Sequence, residues 1–136
     1  MQTLYKFLTN QHSTVENPTA QKLIHKIQLD LFKKGFDAST LVGDLKKLRE
    51  YALEEQNPVL VKAIRLTYEH IEANDAFLIA IPDDEPIEGF EDNATGSASS
   101  ENNLESLEYL LNLFTDLKNK NNLSDLKDYN NAFLAF

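Results

Sequence analysis

The chain has 136 residues, no cysteine and a formal net charge of −9, from 22 Asp and Glu against 13 Lys and Arg. That length suits one domain able to bury its own core, and the lack of cysteine excludes disulfides, thiol nucleophiles, thiolate zinc sites and iron–sulfur clusters while fitting a reducing compartment. No apolar run approaches the roughly 20 residues of a membrane span, and residues 1–6 lack the basic flank and apolar core of a secretory signal, so the expectation is a cytoplasmic protein with no membrane partner.

Leu4, Tyr5, Phe7 and Leu8 form a small apolar cluster, read as a short helix or an ordered N-terminal arm. After a polar stretch, Asn17-Pro18 carries helix-start chemistry: Asn accepts from orphan N–H groups, and Pro is pre-set for the first helical position. Ala20, Leu23, Ile24, Ile27 and Leu31 then share a face, with Phe32 beside them. Lys33 and Lys34 suit a helix C-terminus, and Gly35 suits the left-handed position beyond it. A further helix is predicted over 38–56, capped by Asp37 or Ser39, with Leu41, Val42, Leu45, Leu48 and Ala52 as its stripe. Gly43 inside it costs about 1 kcal/mol against Ala, which calls for either close helix packing or a tolerated defect.

The longest helical period runs over 57–81, and the rest of the chain is expected to pack around it. Asn57-Pro58 opens it; Leu60, Val61, Ile64, Tyr68 and Ile71 line one face, and Lys62, Arg65, Glu69 and Glu72 fall largely on the other. From Ala76 to Ile81 the run is apolar all round, as in a buried helix end or a short strand. Helix is the expectation, ended by Pro82. The two Asn-Pro starts lie 40 residues apart, but beyond them only Lys22/Lys62 and Ile24/Ile64 match, too little for a repeat architecture.

The acidity is local. Between Pro82 and Glu108 stand nine acids and no Lys or Arg, and without those nine the remaining acids balance the 13 bases. Residues 82–103, rich in Asp, Glu, Ser, Asn and Gly, are too poor in apolar side chains to offset the entropy of ordering, and read as a flexible acidic linker. Asn102 or Asn103 then caps a helix with Leu104, Leu107, Leu110, Leu111, Phe114 and Leu117 as its stripe, closed by Lys118 and Lys120 and broken at Asn121-Asn122. Ser124 is expected to cap a last short helix, and Tyr129, Phe133, Leu134 and Phe136 are expected to dock back on the domain.

The predicted fold is all-α: an antiparallel bundle of four main helices plus short terminal elements, in a single domain over 1–136 made of N-terminal helices (1–81), the acidic linker (82–103) and C-terminal helices (104–136). Its core is assigned to Leu23, Ile24, Ile27, Leu31, Leu45, Leu48, Ile64, Tyr68, Ile71, Leu107, Leu111 and Phe114.

Signals for chemistry are few. None of His12, His25 and His70 has a Glu three residues before it, so the di-iron pairing is missing, as is His-Glu-x-x-His for zinc. His25 is followed by Lys26-Ile27-Gln28-Leu29 rather than the Lys and Gly of a phosphotransfer helix, and both helical histidines read as surface or boundary residues. A calcium loop fails on spacing: with Gly89 sixth, its twelfth residue is Thr95, and with Gly96 sixth it is Asn102, neither the bidentate Glu required. Scattered glycines exclude a phosphate loop. Lys33-Lys34 and Lys46-Lys47-x-Arg49 are patches too small for a nucleic-acid track on so acidic a chain. No catalytic, cofactor-binding or metal-binding residue is nominated. The expected role is a non-catalytic protein-interaction module, whether adaptor, inhibitor or immunity-type partner, or assembly subunit. Asp83, Asp84, Glu85, Glu88, Glu91 and Asp92 would meet a protein with a basic surface. The alternatives are an enzyme whose site is assembled only in three dimensions, with Glu69, His70 and Glu72 the nominated cluster, and a structural homodimer.

Overall fold

Asparagine starts four of the helices and aspartate the fifth, in each case with the side-chain oxygen accepting from N–H groups of the first turn. In a computed structural model that describes residues 17–82 and 102–136, the helices are α1 (Pro18–Lys34), α2 (Ala38–Glu54), α3 (Pro58–Asn74), α4 (Leu104–Leu113) and α5 (Lys120–Ala135). The fold is all-α, with no strand among the described residues. No helix there is long and apolar enough to cross a membrane. The apolar arm around Leu4 and the acids at 83–92 lie outside the described residues.

The central position belongs to α3. Leu60, Ile64, Thr67 and Ile71 form one buried stripe and Ala63, Leu66 and His70 a second, so this helix is covered on more than the single face its sequence suggested. It packs most extensively on α2 and then on α5, while α1 lies on α2 and α4 on α5. Ion pairs and hydrogen bonds fasten the neighbours. Lys26 Nζ on α1 reaches Asp44 at 2.8 Å on α2 and Asp30 at 2.9 Å on its own helix. Those contacts, with Asp44 foremost, raise the lysine's pKa, and the hydrogen bond from Lys26 lowers that of Asp30. The Asn17 N–H donates to Glu55 Oε2 at 3.1 Å, tying the start of α1 to the end of α2. Between α4 and α5, Tyr129 and Ser106 are both fully buried, and the phenol donates to the Ser106 carbonyl at 3.0 Å with Ser106 Oγ 2.9 Å away.

Ten of the twelve predicted core residues are buried; Leu23 and Tyr68 are only partly so. The docking of the C-terminus is borne out in cis by Tyr129 and Phe133, which are buried, whereas Leu134 and Phe136 stay exposed. Phe32, placed beside the first stripe, is 78% exposed, because it follows Leu31 around the helix and leaves the core face. Gly35 ends α1 at φ 82°, a backbone region costly for residues with a Cβ, and its N–H donates to Leu31. Gly43 is a tolerated defect rather than a close approach: a Cβ there would meet nothing within 4 Å.

Two boundaries differ from the sequence reading. Helix α3 stops at Asn74, where Asp75 turns left-handed at φ 53°, so 76–81 is not helical. It runs as an irregular segment, buried at Ala76, Phe77 and Ile79, whose backbone is held from elsewhere: the Phe77 N–H donates to Asn102 Oδ1 at 2.7 Å, and the Phe77 carbonyl accepts the Asn103 N–H at 2.7 Å. Helix α4 stops at Leu113 and α5 begins at Lys120, so Asn121-Asn122 open a helix instead of breaking one, and Ser124 lies within it. Asn119 is the true cap, accepting from the Asn121 and Asn122 N–H groups. The turn before it is fixed by Asp116, whose Oδ1 accepts the Lys118 N–H and whose carbonyl accepts from Asn122 Nδ2.

Candidate functional site

The nominated trio on α3 does not converge. Glu69 accepts from Arg65 Nη1 at 3.1 and 3.3 Å, Glu72 pairs with Lys46 Nζ at 3.1 Å, and His70 points inward. Contrary to the surface or boundary reading, His70 is buried at 7% exposure: it sits one turn before the helix end, and the segment after Asp75 folds across it. Its Nε2 accepts the Leu78 N–H at 3.0 Å, and its ring lies 5.6 Å from those of Phe77 and Phe133 and 4.8 Å from that of Phe136. Burial pushes the imidazole pKa below its ordinary value. Through that accepted N–H the ring anchors 76–79 on α3, while Glu69 and Glu72 pair elsewhere.

A small cavity near 60 Å³ between the end of α1 and the start of α2 is lined by Asp30, Asp37 and Asp44, but each is engaged. Lys26 holds two of them, and Asp37 accepts the Thr40 N–H as N-cap. Among the described residues no group of three or more His, Asp or Glu side chains is placed to hold a metal ion.

A larger concave surface surrounds the N-terminus of α3. A three-residue turn, 55–57, brings the chain from α2 into α3, with Gln56 at φ 56° and the Asn57 side chain accepting the Leu60 N–H at 3.2 Å. A residue with a Cβ pays for that left-handed geometry, so the corner is held by what surrounds it. On one side of the corner a groove of about 510 Å³ runs between Leu53 at the end of α2 and Val61 and Arg65 on α3. Across α3 a second groove, about 380 Å³, runs from Val59 to Lys127, Asn130 and Asn131 on α5. Pro58 and Lys62 line both.

Comparisons with protein-family models, curated proteins and solved structures return no match. The corner must therefore be read from its own chemistry. Leu53, at 48% exposure, and the valines give it apolar walls; Lys62, Arg65 and Lys127 give it charge, and among the described residues no carboxylate lines either groove. The sequence reading nominated none of these residues. Lys62 and Arg65 read as the solvated face of an amphipathic helix, and nothing in the spacing of Lys127 ties it to a helix more than 50 residues earlier. The one available signal was Leu53, which falls off the stripe of α2 and had no assigned neighbour.

Proposed function

We propose that the chain is a non-catalytic protein-interaction module that engages a partner through the corner where α2 turns into α3. The observation that carries this reading is the groove of about 510 Å³ with an exposed leucine at its wall, set on a molecule whose nominated catalytic trio is dispersed into ion pairs and a buried ring. Concave apolar surface with a few polar groups at its edge is the usual form of a recognition site. The acids at positions 83, 84, 85, 88, 91 and 92 are proposed as a second contact, for a basic region of the partner, whose binding would weaken as salt rises.

The test compares capture from native extract by three full-length proteins: wild type, Leu53→Asp, and a form with those six acids changed to Ser or Asn. Circular dichroism first verifies that all three are folded. A partner held by wild type and lost with Leu53→Asp supports the corner, and loss with the neutralised acids supports the second contact. Identical capture by all three, or turnover of a substrate that depends on His70, would overturn the reading.

A further inference from the structure

The interaction reading leaves open what chemistry the corner recognises, and three observations converge on an answer. First, the charged side chains that line the two grooves among the described residues are all cationic, Lys62, Arg65 and Lys127, on a chain in which acids outnumber bases 22 to 13. Arg65 is engaged with Glu69, but Lys62 and Lys127 form no ion pair among the described residues. Second, the N-terminus of α3 opens between the grooves, where the helix dipole favours negative charge. Third, Asn130 lines the α5 side at 6% exposure, with its Oδ1 buried and without a hydrogen-bond partner among the described residues. A buried amide oxygen in that state is costly, and a bound donor would relieve the cost.

We propose that the paired grooves bind an acidic segment of a partner protein, which lays an Asp or Glu carboxylate against Lys62 and Lys127 and seats an apolar side chain between Leu53 and Val61. This assignment rests on the interaction-module reading and narrows it. A peptide meets all three observations at once. Its carboxylates answer the lysines and the helix terminus, its apolar side chain covers the leucine, and its main-chain N–H can donate to Asn130 Oδ1 once that side chain turns toward the groove. A phosphate dianion has nothing to place on the apolar wall.

The experiment titrates the isotopically labelled full-length chain with a short synthetic peptide of Asp and Glu around a single Phe. Parallel titrations use a copy carrying Asn and Gln in place of the acids, a copy with Ser in place of Phe, and inorganic phosphate. The expected result is saturable binding with amide shifts centred on Val59, Lys62 and Asn130. Affinity should be at least about tenfold weaker for the amide copy and for Lys62→Glu or Lys127→Glu, and should fall as salt rises. Asn130→Ala should weaken binding without lowering the unfolding midpoint, whereas loss of a merely structural asparagine would lower it. Equal affinity for the amide copy, shifts centred elsewhere, equal binding of phosphate, or no saturation by about 1 mM peptide would each overturn the assignment. If that happens while Leu53→Asp still abolishes partner capture, the interaction reading stands and only the acidic-peptide assignment falls.

Discussion

Replacing Tyr129 by Phe removes one oxygen and keeps the ring, which isolates the polar contact that joins α5 to α4. Tyr129 and Ser106 are each at 0% exposure, and the phenol donates to the Ser106 carbonyl at 3.0 Å. Because its proton is committed there, the 2.9 Å contact with Ser106 Oγ has the serine as donor. The substitution therefore deletes two hydrogen bonds and strands a buried hydroxyl. At about 1 kcal/mol per net bond, with a further penalty of about 1 to 3 kcal/mol for a buried group left unmet, the expected loss is about 2 to 3 kcal/mol after partial relaxation. Ser106→Ala removes only one of the bonds and strands nothing, because the phenol keeps the main-chain acceptor, so its cost should be about 1 kcal/mol. The double variant should cost less than the two losses added, by about 0.5 to 1.5 kcal/mol. Urea unfolding followed by far-ultraviolet circular dichroism, with an unchanged m value, reads all three. A Tyr129→Phe loss under about 0.5 kcal/mol, or additivity within about 0.3 kcal/mol, would refute the geometry inferred for this pair.

Ile64→Ala empties a fully buried position in the middle of α3 and should cost about 2 to 5 kcal/mol by the same unfolding assay. Gly43→Ala should do the reverse, stabilising by up to about 1 kcal/mol, since the position is helical and a Cβ there meets nothing within 4 Å. For His70 the native pKa is lowered by burial, so as pH falls below about 6.5 the unfolded chain takes up a proton that the native ring refuses. Stability should thus decline through that range and level off once the native imidazole also protonates; in His70→Gln this part of the pH profile should be flattened, and an unchanged profile would show that His70 does not set it.

Helix starts are legible in this chain because they are local: Asn17-Pro18 and Asn57-Pro58 combine a side-chain acceptor with a pre-set φ, and both open helices where expected. Helix ends are less so. Phe114 and Leu117 continue the spacing of α4 and are both buried, yet they lie in or beyond its closing turn, so hydrophobic period alone does not separate a helix from a turn that keeps facing the core. The apolar run 76–81 fails as a helix for a related reason. Its hydrogen-bond partners include Asn102, Asn103 and His70, and none of these is visible in a local window. The candidate site is almost wholly tertiary. It joins the last turn of α2, the first turns of α3 and the middle of α5, and the burial of Asn130 has no local signal in the sequence.

The central claim, that the corner between α2 and α3 meets a partner protein, is tested most directly by placing a photo-activated cross-linking side chain at position 53 of the full-length chain in its native cell. The same group at position 32, where Phe32 is exposed on α1 away from the corner, serves as the rival surface. The account predicts a discrete adduct of one partner from position 53 and none of that partner from position 32. Adducts confined to position 32, or none from position 53 while the unmodified chain still captures its partner, would contradict it.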